Sequence, residues 1–224
     1  MKKIIVNIVS FFNKILLEYS ISKSSTLSGL FFRVNIKMGK NNLVDIQNSK
    51  IYRTFAHIKG EANSIIARDV FIEDTSITIT GDNNSIVIGA NVKLRQANII
   101  IRGTGCIVTI GDRTTFGGIR IINAGELNNI TIGTDCLFSD HIELWASDTH
   151  PIFNEHGELI NFEKPISIGN NVWVGSRVII LKGVSIGDGS VIGMGSIVTK
   201  DVPKDVVSAG SPNKTIKEKI KWNQ

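Results

Sequence analysis

The chain has 224 residues, 42% of them hydrophobic, with 21 glycines, 4 prolines and 2 cysteines. That length suits one elongated domain and argues against a second full one. Two cysteines exclude a disulfide framework, so Cys106 and Cys136 read as reduced, buried thiols of a cytoplasmic protein. The net charge of +5 does not mark a nucleic-acid binder, because the cations gather near the carboxyl end, at Lys200, Lys204, Lys214, Lys217, Lys219 and Lys221, without interleaved aromatics.

Residues 1–20 place Ile4, Ile5, Ile8, Phe11, Phe12, Ile15, Leu16 and Tyr19 at helical spacing, which predicts an amphipathic helix. Asn7, Ser10, Asn13 and Lys14 interrupt the apolar run, leaving it too short and too polar to span a bilayer. No small-residue cleavage site follows it. The helix is expected to pack on an oligomer or on the coil end, with peripheral membrane contact as its alternative use. Residues 1–40 thus read as a capping segment.

A slower rhythm follows. Ile66, Ile88, Ile110 and Ile132 lie twenty-two residues apart, and stretches such as GDNNS (81–85) and NAGELNN (123–129) have loop composition. Farther on, Ile168, Val174, Ile180, Ile186, Ile192 and Val198 recur every six residues, and Gly169, Gly175, Gly187 and Gly193 follow four of them. A helix, at about 3.6 residues per turn, scatters such a repeat over its faces; a strand keeps it on one side. The glycines read as turn residues that let the backbone change direction. Three six-residue sides give coils of about eighteen residues, the pattern of a parallel β-helix. The twenty-two-residue spacing then marks coils with small corner loops, and the coil domain is expected over 41–205, beginning near residue 44. Ile132 to Ile168 spans thirty-six residues, two coil lengths, whose second half, HPIFNEHGELINFEKP, is polar and proline-bounded. An insertion at about 147–165 is expected to be a functional loop.

IGNNVWVGS (168–176), GVSIGDGSVIG (183–193), GSIVTKDVP (195–203) and AGSPNK (209–214), with THP at 149–151, resemble the hexapeptide-repeat acetyltransferases. The resemblance implies an all-β, left-handed parallel β-helix with a short carboxy-terminal helix from about Lys214, inside an extension at 206–224. It also implies a homotrimer with active sites between neighbouring subunits, and acetyl-CoA as co-substrate. SDTHPIF and the loop after it are most similar to enzymes that acetylate capsular or O-antigen sugars, including sialic acid O-acetyltransferases. The expected function is therefore transfer of acetyl to a sugar hydroxyl of a capsular or surface polysaccharide. The expected location is cytoplasmic, with the membrane surface as the alternative.

By the same resemblance, His150 is the general base, and Trp173 lies beside the thioester with the Ser176 amide facing its carbonyl oxygen, next to Gly175. Gly193, Met194, Ser196, Thr199 and Lys200 match the run along the pantetheine arm, Met194 standing where a small residue is usual. Lys214 and Lys217 match basic residues that meet the nucleotide phosphates. Asp148 precedes His150 by two residues and, on an extended strand, would point the same way and orient the imidazole. Asn123, Asp140, Glu143 and Trp145 are candidates for an acceptor groove.

A zinc site like that of the γ-class carbonic anhydrases needs three converging histidines, and His57, His141, His150 and His156 lack that spacing, so no metal is expected. No residue is an evident covalent nucleophile, which favours direct attack. Two readings stay open: N-acetylation of a nucleotide-linked amino sugar with the same base, and a non-catalytic binding solenoid.

Overall fold

In the computed structural model, which describes residues 25–39 and 41–223, the chain winds as a parallel β-helix. The helix expected over residues 1–20 lies outside the described residues. Each full coil supplies strands to three faces. The third face is an eight-stranded sheet running from Asn35–Met38 to Ile197–Val198. The first and second faces join in one sixteen-stranded sheet, because Leu43–Tyr52 turns a corner and pairs with Ser64–Arg68 on one side and Phe71–Glu73 on the other.

All six aliphatics of the hexad series are buried, so period two decides which side chains enter the coil. Ile88, Ile110, Ile132, Ile168 and Ile186 stand opposite one another on successive rungs, an unbroken inward column. Ile66 does not belong to it. Ser64–Arg68 pairs with Ser85–Ile88 at a separation of twenty-one, which puts Ala67 inside and leaves Ile66 exposed.

Three further expectations are corrected. The coil begins earlier, because Thr26–Phe32 already pairs in parallel with Leu43–Tyr52. The interval from Ile132 to Ile168 is one coil, since Asn129–Ile132 and Ile166–Ile168 are direct neighbours; the extra length leaves the solenoid as a loop. No helix occurs among the described residues, and the one expected from Lys214 is the strand Asn213–Glu218. It runs antiparallel to Val206–Gly210 after a reversal at Gly210 and the cis Ser211–Pro212 bond, and pairs the open side of the last strand.

The glycine after each aliphatic is required for a different reason than the one expected. The left-handed conformation falls two residues later, at Asn91, Arg113, Asp135 and Asn171, with φ between 51° and 60°. Gly133 is needed because a Cβ there would sit 2.4 Å from the Gly169 carbonyl oxygen on the next coil. Gly133→Ala must push two coils apart, so a loss of about 1–3 kcal/mol is expected, read as a lower thermal midpoint. An unchanged midpoint would mean that the coils are not in fixed contact there.

A ladder of buried asparagines is paired rung to rung inside the coil. Asn63 Nδ2 donates to Asn42 Oδ1 and Asn84 Nδ2 to Asn63 Oδ1, both at 3.0 Å. Cys106 continues this ladder, its amide donating to Asn84 Oδ1 and its thiol to the Gly125 carbonyl. Both cysteines are buried and free, and burial pushes the Cys136 thiol up to about 11.

Candidate functional site

The third-face strand Ile142–Trp145 ends at the corner where loop 147–165 departs. The backbone is not extended there: Thr149 has φ 64°, so the alternation that would put Asp148 and His150 on one side does not apply. The Asp148 carboxylate instead accepts from Lys182 Nζ at 2.5 Å and from Asn161 Nδ2 at 2.9 Å. Asn161 Nδ2 also donates to the His150 carbonyl oxygen, while its Oδ1 accepts from the Ile152 amide. Lys182 Nζ donates further to the carbonyls of Asn161 and Phe162. Lys182 and Asn161 thus tie both ends of the loop to the solenoid corner and fix the backbone of His150, whose exposed imidazole has no hydrogen-bond partner among the described residues.

Lys182→Met removes all three tethers, and cleavage of loop 147–165 in limited proteolysis is expected to rise several-fold while the solenoid core resists. Partial burial alone would raise the Asp148 carboxyl, but the hydrogen bonds from Lys182 and Asn161 outweigh it and hold it below its ordinary value. Its tether is therefore fully present above the unfolded value of about 3.9 and is lost as pH falls through the folded one. Loop protection should persist at about pH 5 and fail only in stronger acid; loss already near neutrality would contradict this pairing.

On the outer side of the third face, the Arg120 guanidinium lies 5.2 Å over the Trp145 ring, and Trp145 Nε1 donates to Glu143 at 2.6 Å. Trp145, Glu143 and the loop corner therefore present one polar, aromatic surface. Asp140 sits at a different corner, between the second and third faces, where the Ser176 hydroxyl donates to it and, as the largest cause, holds its carboxyl below the ordinary value. Asn123 is corrected as an acceptor-groove residue. It is buried inside the coil, donating to the carbonyls of Ile107 and Asn128.

The residues matched to the cofactor motifs lie toward the carboxyl end. Trp173 is 40% exposed on the second face, its ring 5.9 Å from that of Trp222, which is fixed by an Nε1 bond to the Asn171 carbonyl. A Cβ on Gly175 would lie 2.7 Å from the Met194 amide, and one on Gly193 2.8 Å from the Ala209 Cβ, so both glycines keep adjacent backbones close. Met194 is exposed. The Ser196 side chain is buried, donating to the Gly193 carbonyl and accepting from the Gly210 amide, so only its backbone can face a ligand. The Thr199 amide donates to Asn213 Oδ1, Lys200 is exposed, and Lys214 and Lys217 project from the edge strand opposite Ala209 and Val207. Among the described residues, no hydrogen bond or ring contact joins His150 to Trp173 or Ser176. Among the described residues no three histidine, cysteine or carboxylate side chains converge as a metal site.

A family profile described as the hexapeptide repeat of succinyl-transferase matches residues 165–200. The crystal structure of the polySia-specific acetyltransferase NeuO superposes with a TM-score of 0.73 at 39% identity, covering 90% of this chain and 89% of that one. The chain belongs to the hexapeptide-repeat acetyltransferase family. A second member, the polysialic acid O-acetyltransferase OatWY, is 31% identical with a TM-score of 0.56, over 92% of this chain and 86% of its own. Among curated family members, the galactoside O-acetyltransferase of Escherichia coli K12 is 51% identical over 92 residues, 40% of this chain and 44% of that protein. The polysialic acid O-acetyltransferase of Escherichia coli O1:K1 is 44% identical over 125 residues, 55% of this chain and 40% of that protein. The chain thus spans less than half the length of these two curated members.

Three residues with evident structural work at the site escaped the reading of the sequence: Lys182, Asn161 and Trp222. Lys182 had a signal. Trp145 stands opposite Leu181, so the thirty-six-residue step that links Ile132 to Ile168 also sets Lys182 beside Ala146 at the loop corner. Asn161 and Trp222 had none, because their partners are set by how a loop and a tail fold back on the coil.

Proposed function

We propose that the protein is an acetyl-CoA-dependent O-acetyltransferase acting on a hydroxyl of a capsular or surface polysaccharide. His150 Nε2 takes the proton of the acceptor hydroxyl as that oxygen attacks the thioester carbonyl. The Ser176 amide donates to the oxyanion, and Trp173 walls the thioester. Collapse breaks the carbon–sulfur bond, and the CoA thiolate recovers the proton from the imidazolium. Met194, Thr199, Lys200 and the backbone at Gly175, Gly193 and Ser196 line the arm of the cofactor, while Lys214 and Lys217 meet its phosphates. Asp148 acts through Asn161 and the loop backbone, placing His150. Glu143, Trp145 and Asp140 contact the acceptor. No metal takes part, and the reaction is cytoplasmic, where acetyl-CoA is supplied.

The observation that carries this reading is the match of nearly the whole chain to a polysialic acid acetyltransferase. The separation of His150, at a loop corner, from Trp173, on the second face, supports a homotrimer in which one protomer's histidine faces the cofactor groove of the next. Incubation with labelled acetyl-CoA and a panel of bacterial glycans tests it. Label released from the glycan by mild alkali marks an ester, as proposed; alkali-stable label would mark an amide and favour N-acetylation. Absence of acetyl-CoA binding in a titration would favour a binding solenoid.

A further inference from the structure

On the second face, Lys50, Phe71 and Lys93 stand opposite one another on three successive rungs. At about 4.8 Å per rung the two ammonium-bearing positions are about 10 Å apart, with an aromatic ring between them. The Arg95 guanidinium lies 5.4 Å over the Phe71 ring, and Tyr52 sits 5.7 Å from that ring at a tilt. Lys50, Phe71, Lys93 and Arg95 line, with Asn48 and Asn91, a cleft of about 440 Å³ in which Asp69 is the one acidic side chain.

Arg53 is neutralised by Glu73 and Asp74, and Arg113 by Asp135, each across a coil. Lys50, Lys93 and Arg95 have no carboxylate partner among the described residues. Three unneutralised cations around a half-buried aromatic ring offer what an acidic sugar chain needs: ring faces pack on Phe71 while successive carboxylates meet Lys50, Lys93 and Arg95. The outward column continues from Lys93 through Thr115 and Leu137 to Trp173, so the cleft lies three rungs, about 14 Å, from that tryptophan along one face.

We propose that this cleft is a docking subsite for an anionic polysaccharide, holding the acceptor polymer away from the point of acetyl transfer. The proposal rests on the acceptor being a saccharide, as proposed above. Each exposed ion pair is weak and screened by salt, but several engaged along one chain raise the local concentration of the polymer's other units at the transfer site.

The test is the triple variant Lys50→Glu, Lys93→Glu, Arg95→Glu, assayed with long polysialic acid and its dimer, with neutral dextran as a binding control. In the unaltered protein, polysialic acid binding should exceed dextran binding and weaken as salt rises. In the variant, the preference in KM for polymer over dimer should fall about ten-fold or more. A preference that survives charge reversal, or a variant whose sedimentation shows lost subunit association, overturns the proposal; the latter would assign the cations to an interface. If neither acceptor is acetylated by the unaltered protein, the functional reading fails, and polymer binding alone then decides the cleft: binding lost in the variant supports it, and binding retained overturns it.

Discussion

His150→Ala is expected to lower turnover by about 10²- to 10⁴-fold, the range contributed by a positioned general base, while leaving the solenoid's thermal midpoint unchanged. The second half of that expectation follows from geometry. His150 is exposed, its imidazole has no hydrogen-bond partner among the described residues, and the hydrogen bond that holds its position runs through its backbone carbonyl to Asn161. A structural histidine would show the reverse: activity lost with stability. Equal turnover by variant and parent would remove His150 from the chemistry.

Phe138→Ala carries the largest expected cost in stability. Phe116 and Phe138 are fully buried on adjacent rungs of the second face, their rings stacked with centroids 4.7 Å apart and 24° between planes. Truncating one opens a cavity that neighbouring coils cannot close without abandoning their ladder bonds, so about 3–5 kcal/mol should be lost. In a solenoid each coil is stabilised mainly by its neighbours, and Phe138 sits between the Phe116 and Val174 rungs. The loss should therefore reach the rung that bears Trp173. Urea unfolding reads it out directly: a midpoint close to that of the parent would mean that the coil repacks freely.

The parts of this structure legible in the sequence are those set by local alternation. The hexads from Ile168 to Val198 fix which side chains enter the coil, because a strand offers only two sides. What failed depended on contacts between coils. The glycines after the aliphatics looked like turn residues, yet Gly133 is required by a carbonyl one coil away, and Asn171 holds the turn conformation. Ile66 kept a perfect twenty-two-residue count and is still outside, since its coil is one residue shorter and Ala67 takes the inward place. Asn123 looked outward for a similar reason: Ile121, Ile122 and Asn123 are all buried, so the strand breaks its own alternation there. The tail from Lys214 became a strand because the last coil leaves Val206–Gly210 with an unpaired side, a demand that the tail's own residues do not announce. At the candidate site, the THP histidine and the NVW tryptophan could be named from motifs, whereas the Lys182 and Asn161 tethers come from a loop folding back on its corner.

The most direct test of the account is a structure of the assembled protein with CoA and a saccharide acceptor bound. It should place His150 Nε2 about 2.6–3.2 Å from the acceptor hydroxyl, with the cofactor sulfur in the cleft beside the Trp173 of an adjoining subunit. An acyl group seated on a face that the ring of His150 cannot reach from any subunit would contradict it.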